Sequence, residues 1–276
     1  MTRRARKSLL YWVFLLPLAV LNLFPFAVMF FTAVKPRDEL FVYPPVWLPT
    51  RFAWENFAEM WTKTGFGQAL VNSLVVSVTS TLLTIAVGIP AAYALSRLPF
   101  RGKGAYRQYL LITQMISPIV LVVGLFRLLV QIGMVDSLIP LILTYAAFNL
   151  AFTTMMLQSY FATIARDLEE AAWMDGASRR QSLVRIFLPL AVPAITVTAI
   201  FTFVNAWNEF VLALTMLRSE SHYTLPLQVF AQVAGRYQVE WHHVMAASFL
   251  ATVPVAIVFS LLQRFLIRGM SAGAVK

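Results

Sequence analysis

The sequence predicts an all-α integral membrane protein with six spanning helices, and three observations predict it. First, 59% of the 276 residues are apolar and 12% are charged, with a mean hydropathy of +0.73. An ordinary soluble domain carries about 25% charged residues. Second, six windows of 19 to 33 residues contain no Asp, Glu, Lys or Arg, and about 20 residues of helix cross the hydrocarbon of a bilayer. Third, the basic residues collect at alternate ends of those windows, as the positive-inside rule requires. This composition excludes intrinsic disorder and a disulfide-stapled secreted domain. With no cysteine in the chain, it also excludes a thiolate zinc site and a cysteine nucleophile. Runs such as 119–125 lack period-two alternation, which excludes a β-barrel.

Each span follows from a charge-free window, because a charge at the bilayer centre costs about 2.5–3.5 kcal/mol. The windows are 8–34, 64–96, 108–126, 137–165, 186–208 and 241–263. They place spans near 10–33, 70–95, 107–130, 138–160, 190–214 and 245–266 of a single transmembrane domain, 1–276. Arg3, Arg4, Arg6 and Lys7 precede the first apolar stretch. That stretch is too long for a signal-peptide core and no small-x-small cleavage site comes after it, so it reads as an uncleaved first helix. The connection 35–63 is stiffened by Pro44-Pro45-Val46-Trp47-Leu48-Pro49. In the third span Pro118 can kink the helix, and Arg127 snorkels from its end. The segment 215–244 holds His222, His242 and His243, read as solvated loop histidines.

Orientation comes from counting. With the N-terminus inside, the inner segments hold Arg3, Arg4, Arg6 and Lys7, then Arg97, Arg101, Lys103 and Arg107. They also hold Arg166, Arg179, Arg180 and Arg185, and finally Arg264, Arg268 and Lys276, which together are 15 of the 22 basic residues. The acids there are Asp167, Glu169, Glu170 and Asp175, so the inner side is +11 and the remainder −1. The net charge of +10 is therefore an orientation code. Nucleic acid is excluded as a partner, because the bases sit at helix ends without an aromatic-interleaved patch.

Catalytic signatures are missing. The sequence has no G-x-x-x-x-G-K-[ST] phosphate loop, no G-x-S-x-G, no H-E-x-x-H and no EF-hand loop, so neither a metal site nor an ATP site of this chain's own is expected.

The inner connection 161–189 carries most of the information. Asp167 can cap a short helix, with Glu170 three residues on in a capping-box arrangement. Ala171 and Ala172 allow a close approach. Gly176 supplies a break at positive φ. Ser178 then caps a second helix with Gln181 reciprocal, and Leu183, Ile186, Phe187 and Leu190 form one helical stripe. Spacing alone fits two occupants, a docked protein or the lipid surface.

Glu170-Ala171-Ala172, then Gly176, then Ile186-x-Leu188-Pro189, with Asp175-Gly176-Ala177 and Pro193, resembles the EAA motif of ABC importer permeases. The resemblance is to the carbohydrate-uptake class, specifically the smaller permease of maltose-type importers. Asn205-Ala206-Trp207-Asn208-Glu209-Phe210, Leu225-Pro226-Leu227 and the C-terminal segment from Met245 to Lys276 extend it. It implies a type I permease core with cytoplasmic coupling helices between spans four and five. It implies a bacterial or archaeal cytoplasmic membrane with both termini inside. The implied partners are a second, distinct permease subunit, two ATPase subunits that carry ATP and Mg, an extracytoplasmic solute-binding protein, and membrane lipid. No cofactor is expected on this chain. The resemblance makes Glu170, Ala171, Ala172, Asp175, Gly176, Ile186, Leu188 and Pro189 the residues that couple to the ATPase.

Polar groups at membrane depth default to functional candidates. These are Gln114, Ser117, Asn149, Asn205, Trp207, Asn208 and Glu209. Amides, hydroxyls and a carboxylate beside Tyr145, Phe203 and Trp207 suit the OH groups and flat C–H faces of a sugar. The same residues suit interhelical hydrogen bonds. A stand-alone secondary transporter would need coupling carboxylates within its spans, and Glu209 is the one acid inside a predicted span. An ABC importer of a non-sugar solute is the closer alternative.

Overall fold

The computed structural model describes backbone for residues 3–234 and 237–273 and side chains for 12–234 and 237–263. Side chains of Arg3, Arg4, Arg6, Lys7, Arg264 and Arg268, and all of Lys276, lie outside the described residues. In chain order the helices are α1 (Arg3–Ala33), α2 (Glu55–Lys63), α3 (Phe66–Arg97), α4 (Lys103–Met115), α5 (Pro118–Gln131) and α6 (Leu138–Thr163). They continue with α7 (Arg166–Met174), α8 (Arg179–Ser182), α9 (Leu188–Asn208), α10 (Val211–Met216), α11 (Leu225–Ala231) and α12 (Trp241–Gly273). Among the described residues, five helical segments are long and apolar enough to cross a membrane: Trp12–Ala33, Phe66–Arg97, Leu138–Thr163, Arg179–Asn208 and Trp241–Gln263. Counting α4 and α5 as one broken span makes six.

Two spans differ from expectation. The third is not one helix over 107–130 but two, bent by 93°. Ile116 has ψ 118° and Ser117 has φ −66° and ψ 133°, both extended. The Pro118 ring disfavours helical backbone at the residue before it and removes one helix donor, so the kink expected of it becomes a break. The fifth span stops at Asn208 instead of reaching 214, because Glu209 is extended, with ψ 129°.

The residues form two compact units. The first draws on Met1–Gly67 and Gln228–Pro254. Here Asn56 fastens α2 to the end of α1, its Nδ2 donating to the carbonyls of Ala33 (2.8 Å) and Lys35 (2.9 Å). Phe30 packs on Phe249 with ring centroids 5.4 Å apart. From Trp12 to Phe24 the large apolar side chains of α1 are exposed, as suits a helix whose surroundings are hydrocarbon.

The second unit draws on Gln68–Leu227 and Val255–Lys276. Its centre is the packing of α3, α6 and α9 through small and hydroxyl side chains, the usual means of bringing membrane helices close. Ser77, Ser80, Thr84, Thr153, Thr154, Thr198 and Thr202 are all buried. Several hydroxyls return to their own helix, Thr84 to Ser80 O (2.7 Å) and Thr198 to Ala194 O (2.8 Å). Thr153 and Thr202 hydroxyls meet across α6 and α9 at 3.2 Å.

At Gly88 a Cβ would lie 2.7 Å from Thr153 Cγ2. Gly88→Ala is therefore expected to lower stability by about 1–3 kcal/mol, the usual cost of overpacking, despite alanine's better helix propensity. Thr153→Ser, which deletes the opposing methyl, should restore most of it. Melting of the purified variants checks both.

The α5–α6 turn is clamped by Asp136, whose carboxylate accepts from the backbone N–H of Arg218 (2.8 Å) and Ser219 (2.9 Å) and from the Ser219 hydroxyl at 2.5 Å. Partial burial raises its pKa, but these bonds and the one from His222 outweigh that and hold the carboxyl well below its ordinary value.

Candidate functional site

The connection between α6 and α9 is built from two interlocking caps. Helix α7 ends in a Schellman turn. Ala177 N–H donates to Ala172 O (2.9 Å) and Gly176 N–H to Trp173 O (3.0 Å), and Gly176 has φ +82°, the left-handed conformation this turn requires. Ser178 then opens α8 with a complete capping box. Its Oγ accepts from Gln181 N–H (3.3 Å), and its own N–H donates to Gln181 Oε1 (2.7 Å). The break at Gly176 and the Ser178 cap are as expected. The cap at Asp167 is not: the N-cap of α7 is Ala165, with no side-chain cap bond, and Asp167 lies within the first turn. There its charge still suits the helix dipole.

After α8 the chain makes a π turn, Leu183–Phe187, before α9. The wider turn shifts the register of the helix beyond it. Leu183, Ile186 and Phe187 therefore pack inward around Ala92, Tyr93, Leu157 and Phe161, whereas Leu190, expected on the same stripe, is exposed.

The eight expected coupling residues fall in three places. Ala172, Asp175, Gly176 and Ile186 line one groove of about 290 Å³ with Ala177, Gln181, Ser182 and Arg185. Glu170 and Ala171 are exposed on α7, beside exposed Leu168, Trp173 and Met174. Leu188 and Pro189 begin α9. The loop thus presents the exposed carboxylates of Asp167, Glu170 and Asp175, a small-residue step and three exposed apolar side chains, a surface suited to a protein partner.

Three residues absent from the sequence candidates hold this loop in place. Glu169 is the buried residue of α7, 3% exposed. Tyr93 of α3 donates its phenolic O–H to Glu169 Oε1. Arg97 Nε lies 3.7 Å from Glu169 Oε2. Arg97 Nη2 donates to the carbonyls of Phe161 (2.8 Å) and Ile164 at the end of α6, and its guanidinium stacks 4.9 Å over the Phe187 ring. A Glu-Glu pair in sequence does not say which carboxylate turns inward. Only the position of Tyr93 and Arg97 decides it.

The polar candidates at membrane depth separate into two kinds. Asn205 Nδ2 donates to Asn149 Oδ1 (3.3 Å), joining α9 to α6, and Asn149 Nδ2 donates to Tyr145 O (2.9 Å). Asn205 and Asn208 stay exposed, three residues apart on α9, so a polar strip remains open. Gln114 donates weakly to Met155 sulfur (3.4 Å), and Ser117 is the exposed residue at the α4–α5 break. Trp207 differs from expectation. It is buried and stacked on Phe203, with centroids 5.7 Å apart, and Tyr145 and Phe203 are buried as well, so these aromatics fill the interior instead of offering a face to a ligand. Glu209 serves structure: its carboxylate caps α10 through Leu212 N–H (2.9 Å) and Ala213 N–H (3.3 Å) and accepts from Tyr145 O–H (2.5 Å). A mostly apolar cavity of about 700 Å³, which the sequence does not signal, opens inside the α4–α5 bend, lined by Tyr109, Thr113, Val120, Leu125, Thr144 and Phe148 among others.

His242 and His243 are also not as expected. Both are buried, at 2% and 3% exposure, because Trp241 already begins α12. Arg37 Nε donates to His242 Nε2 (3.2 Å), and Arg37 pairs with Glu240. Glu240 Oε2 lies 2.7 Å from His243 Nδ1. Glu59 is 3.6 Å from His243 Nε2, and the neighbouring Lys63 ammonium holds its carboxyl below the ordinary range. Ligand-type atoms of Glu240, His242 and His243 lie within 4.8 Å of one another, but the Arg37 guanidinium already supplies a cation to two of the three. His222 alone is a partly exposed loop histidine, 3.3 Å from Asp136.

Residues 84–272 match the sequence family described as "Binding-protein-dependent transport system inner membrane component". The chain is 35% identical to the diacetylchitobiose uptake system permease protein DasC of Streptomyces coelicolor, over 92% of this chain and 91% of that protein. It is 32% identical to the trehalose/maltose transport system permease protein MalG of Thermococcus litoralis, over 100% of this chain and 99% of that one. Its fold matches a chain of a bacterial ABC transporter involved in alginate import, with a TM-score of 0.80 at 23% identity, covering 96% of this chain and 98% of that chain.

Proposed function

The chain belongs to the family of binding-protein-dependent transport system inner membrane components, and from that premise we propose that it is a permease subunit of an ATP-driven importer for a sugar, oligosaccharide or polyol. The observation that carries this reading is the exposed loop of α7, Gly176 and α8, a capped turn whose outer face is left uncovered among the described residues. Carbohydrate is supported by relatives whose names specify diacetylchitobiose and trehalose/maltose uptake.

In the proposed mechanism two cytoplasmic ATPase subunits bind ATP and Mg, and their closure moves the α7–α8 loop. Glu170 meets a basic group of the ATPase, Ala171 and Ala172 allow close seating, and Gly176 keeps the turn that orients α7 against α8. Motion of the loop enters α9 through Ile186, Leu188 and Pro189 and changes which side of the membrane the pathway faces. A second permease completes the pore, and a solute-binding protein delivers substrate from outside. Half-buried Asn149 and exposed Asn205 and Asn208 form the amide strip along which hydroxyl groups can exchange hydrogen bonds.

The test is reconstitution of the chain in vesicles with a second permease, an ATPase and a solute-binding protein from the same organism. Binding-protein-stimulated ATP hydrolysis with uptake of the bound carbohydrate is expected. Uptake by this chain without an ATPase would refute the reading, and a non-carbohydrate ligand on the binding protein would refute the substrate class. Glu170→Lys should insert normally and lose most of the stimulation, since it reverses the charge offered to the ATPase.

A further inference from the structure

Resting on the proposed coupling to an ATPase, we propose that Glu169, paired with Arg97 and hydrogen-bonded by Tyr93, is the positioning residue that makes the coupling loop move with α3 and α6. Of the two adjacent glutamates, Glu170 faces outward and Glu169 inward. The side chains of Glu169 and Arg97 are 4% and 5% exposed. Burying two charges is costly, and an apolar pair would anchor a helix at less cost. What the charges add is direction. One guanidinium reads two carbonyls at the end of α6, the Phe187 ring beyond α8 and a carboxylate on α7. The phenol of α3 reads the other carboxylate oxygen. Four segments therefore share one set of oriented bonds, and α7 cannot rotate without breaking one.

The set also has slack. Arg97 Nε is buried without a hydrogen-bond partner, 3.7 Å from Glu169 Oε2, whereas a charge-assisted N–H···O bond is about 2.8 Å long. The ion pair is therefore looser than the bonds around it, and within this set Glu169 is held most closely by Tyr93.

The test reads the ratio of ATP hydrolysis with and without loaded binding protein in the reconstituted complex, together with co-purification of the ATPase. Glu169→Gln keeps the shape and still accepts from Tyr93, but leaves Arg97 without its counter-charge. It is expected to co-purify and to lower the ratio about tenfold, within the usual range of coupling between sites. Tyr93→Phe, which removes one donor, should lower it roughly two- to tenfold, the effect of losing a single hydrogen bond. The double variant Glu169→Gln/Arg97→Gln should lose less than the two single losses combined, because both act through one pair, although Arg97→Gln also gives up the bonds to the end of α6. A wild-type ratio in Glu169→Gln, or additive losses in the double variant, overturns the proposal. So does loss of assembly in Glu169→Gln with a wild-type ratio in Tyr93→Phe, since Glu169 would then serve folding only. A wild-type complex that shows no stimulation refutes the functional reading instead.

Discussion

Gly176→Pro is expected to abolish binding-protein-dependent uptake while leaving insertion and abundance of the protein unchanged. At φ +82° Gly176 occupies a conformation closed to proline, whose ring fixes φ near −65°. Proline also deletes the N–H that bonds Trp173 O at 3.0 Å. The Schellman turn must then open, and the angle between α7 and α8 changes. Strain of this kind costs of order 1–3 kcal/mol, and 1.4 kcal/mol is a tenfold change in an equilibrium, so strain alone should lower uptake about 5- to 150-fold, with the lost hydrogen bond adding to it. Gly176→Asn is the control, because asparagine visits this conformation at little cost, and it should transport close to wild-type rates. Uptake assays in vesicles with quantified permease decide the matter. A fully active proline variant would show that the turn's geometry does not matter to transport. An asparagine variant as poor as proline would show that the missing side chain, not the backbone, is what matters.

Glu209→Ala should produce the largest loss of stability among the polar residues at membrane depth, about 2–4 kcal/mol. The carboxylate caps α10, a contribution of about 1 kcal/mol, and takes the O–H of Tyr145, which is 2% exposed. Leaving that hydroxyl unpaired adds about 1–3 kcal/mol. Glu209→Gln retains an acceptor and should lose less than half as much, with transport lowered only in proportion. Thermal melting and uptake measured on the same preparations separate the two roles. If Glu209→Gln melts like wild type but no longer transports, Glu209 belongs to the substrate pathway and not to the scaffold.

These two residues show what the sequence can and cannot reveal. Gly176 is legible because a local motif demands it: a break flanked by helix-forming residues on one side and a Ser-x-x-Gln cap on the other. Local rules also locate the spans, since charge-free length is a property of sequence alone. Glu209 reads as a pathway carboxylate in the sequence because its partners, Tyr145 and the α10 backbone, come from elsewhere in the fold or appear only once the helix stops at Asn208. Trp207, His242 and His243 mislead for the same reason. Their burial is decided by which neighbouring element covers them, and no spacing within 207–243 encodes that. The π turn before α9 is equally invisible, since it shifts register without a distinctive residue.

The hydroxyl-lined packing of α3, α6 and α9 has a mechanical consequence. The hydroxyls of Ser80, Thr81, Thr84 and Thr198 satisfy carbonyls on their own helix, few hydroxyl bonds cross between neighbours, and Gly88 and the alanines bring the backbones close. Such a seam is tight perpendicular to the helices and slippery along them. It resembles a dry bearing, on which a small glide of α9 past α6 would break few bonds, chiefly Thr153 to Thr202 and Asn205 to Asn149.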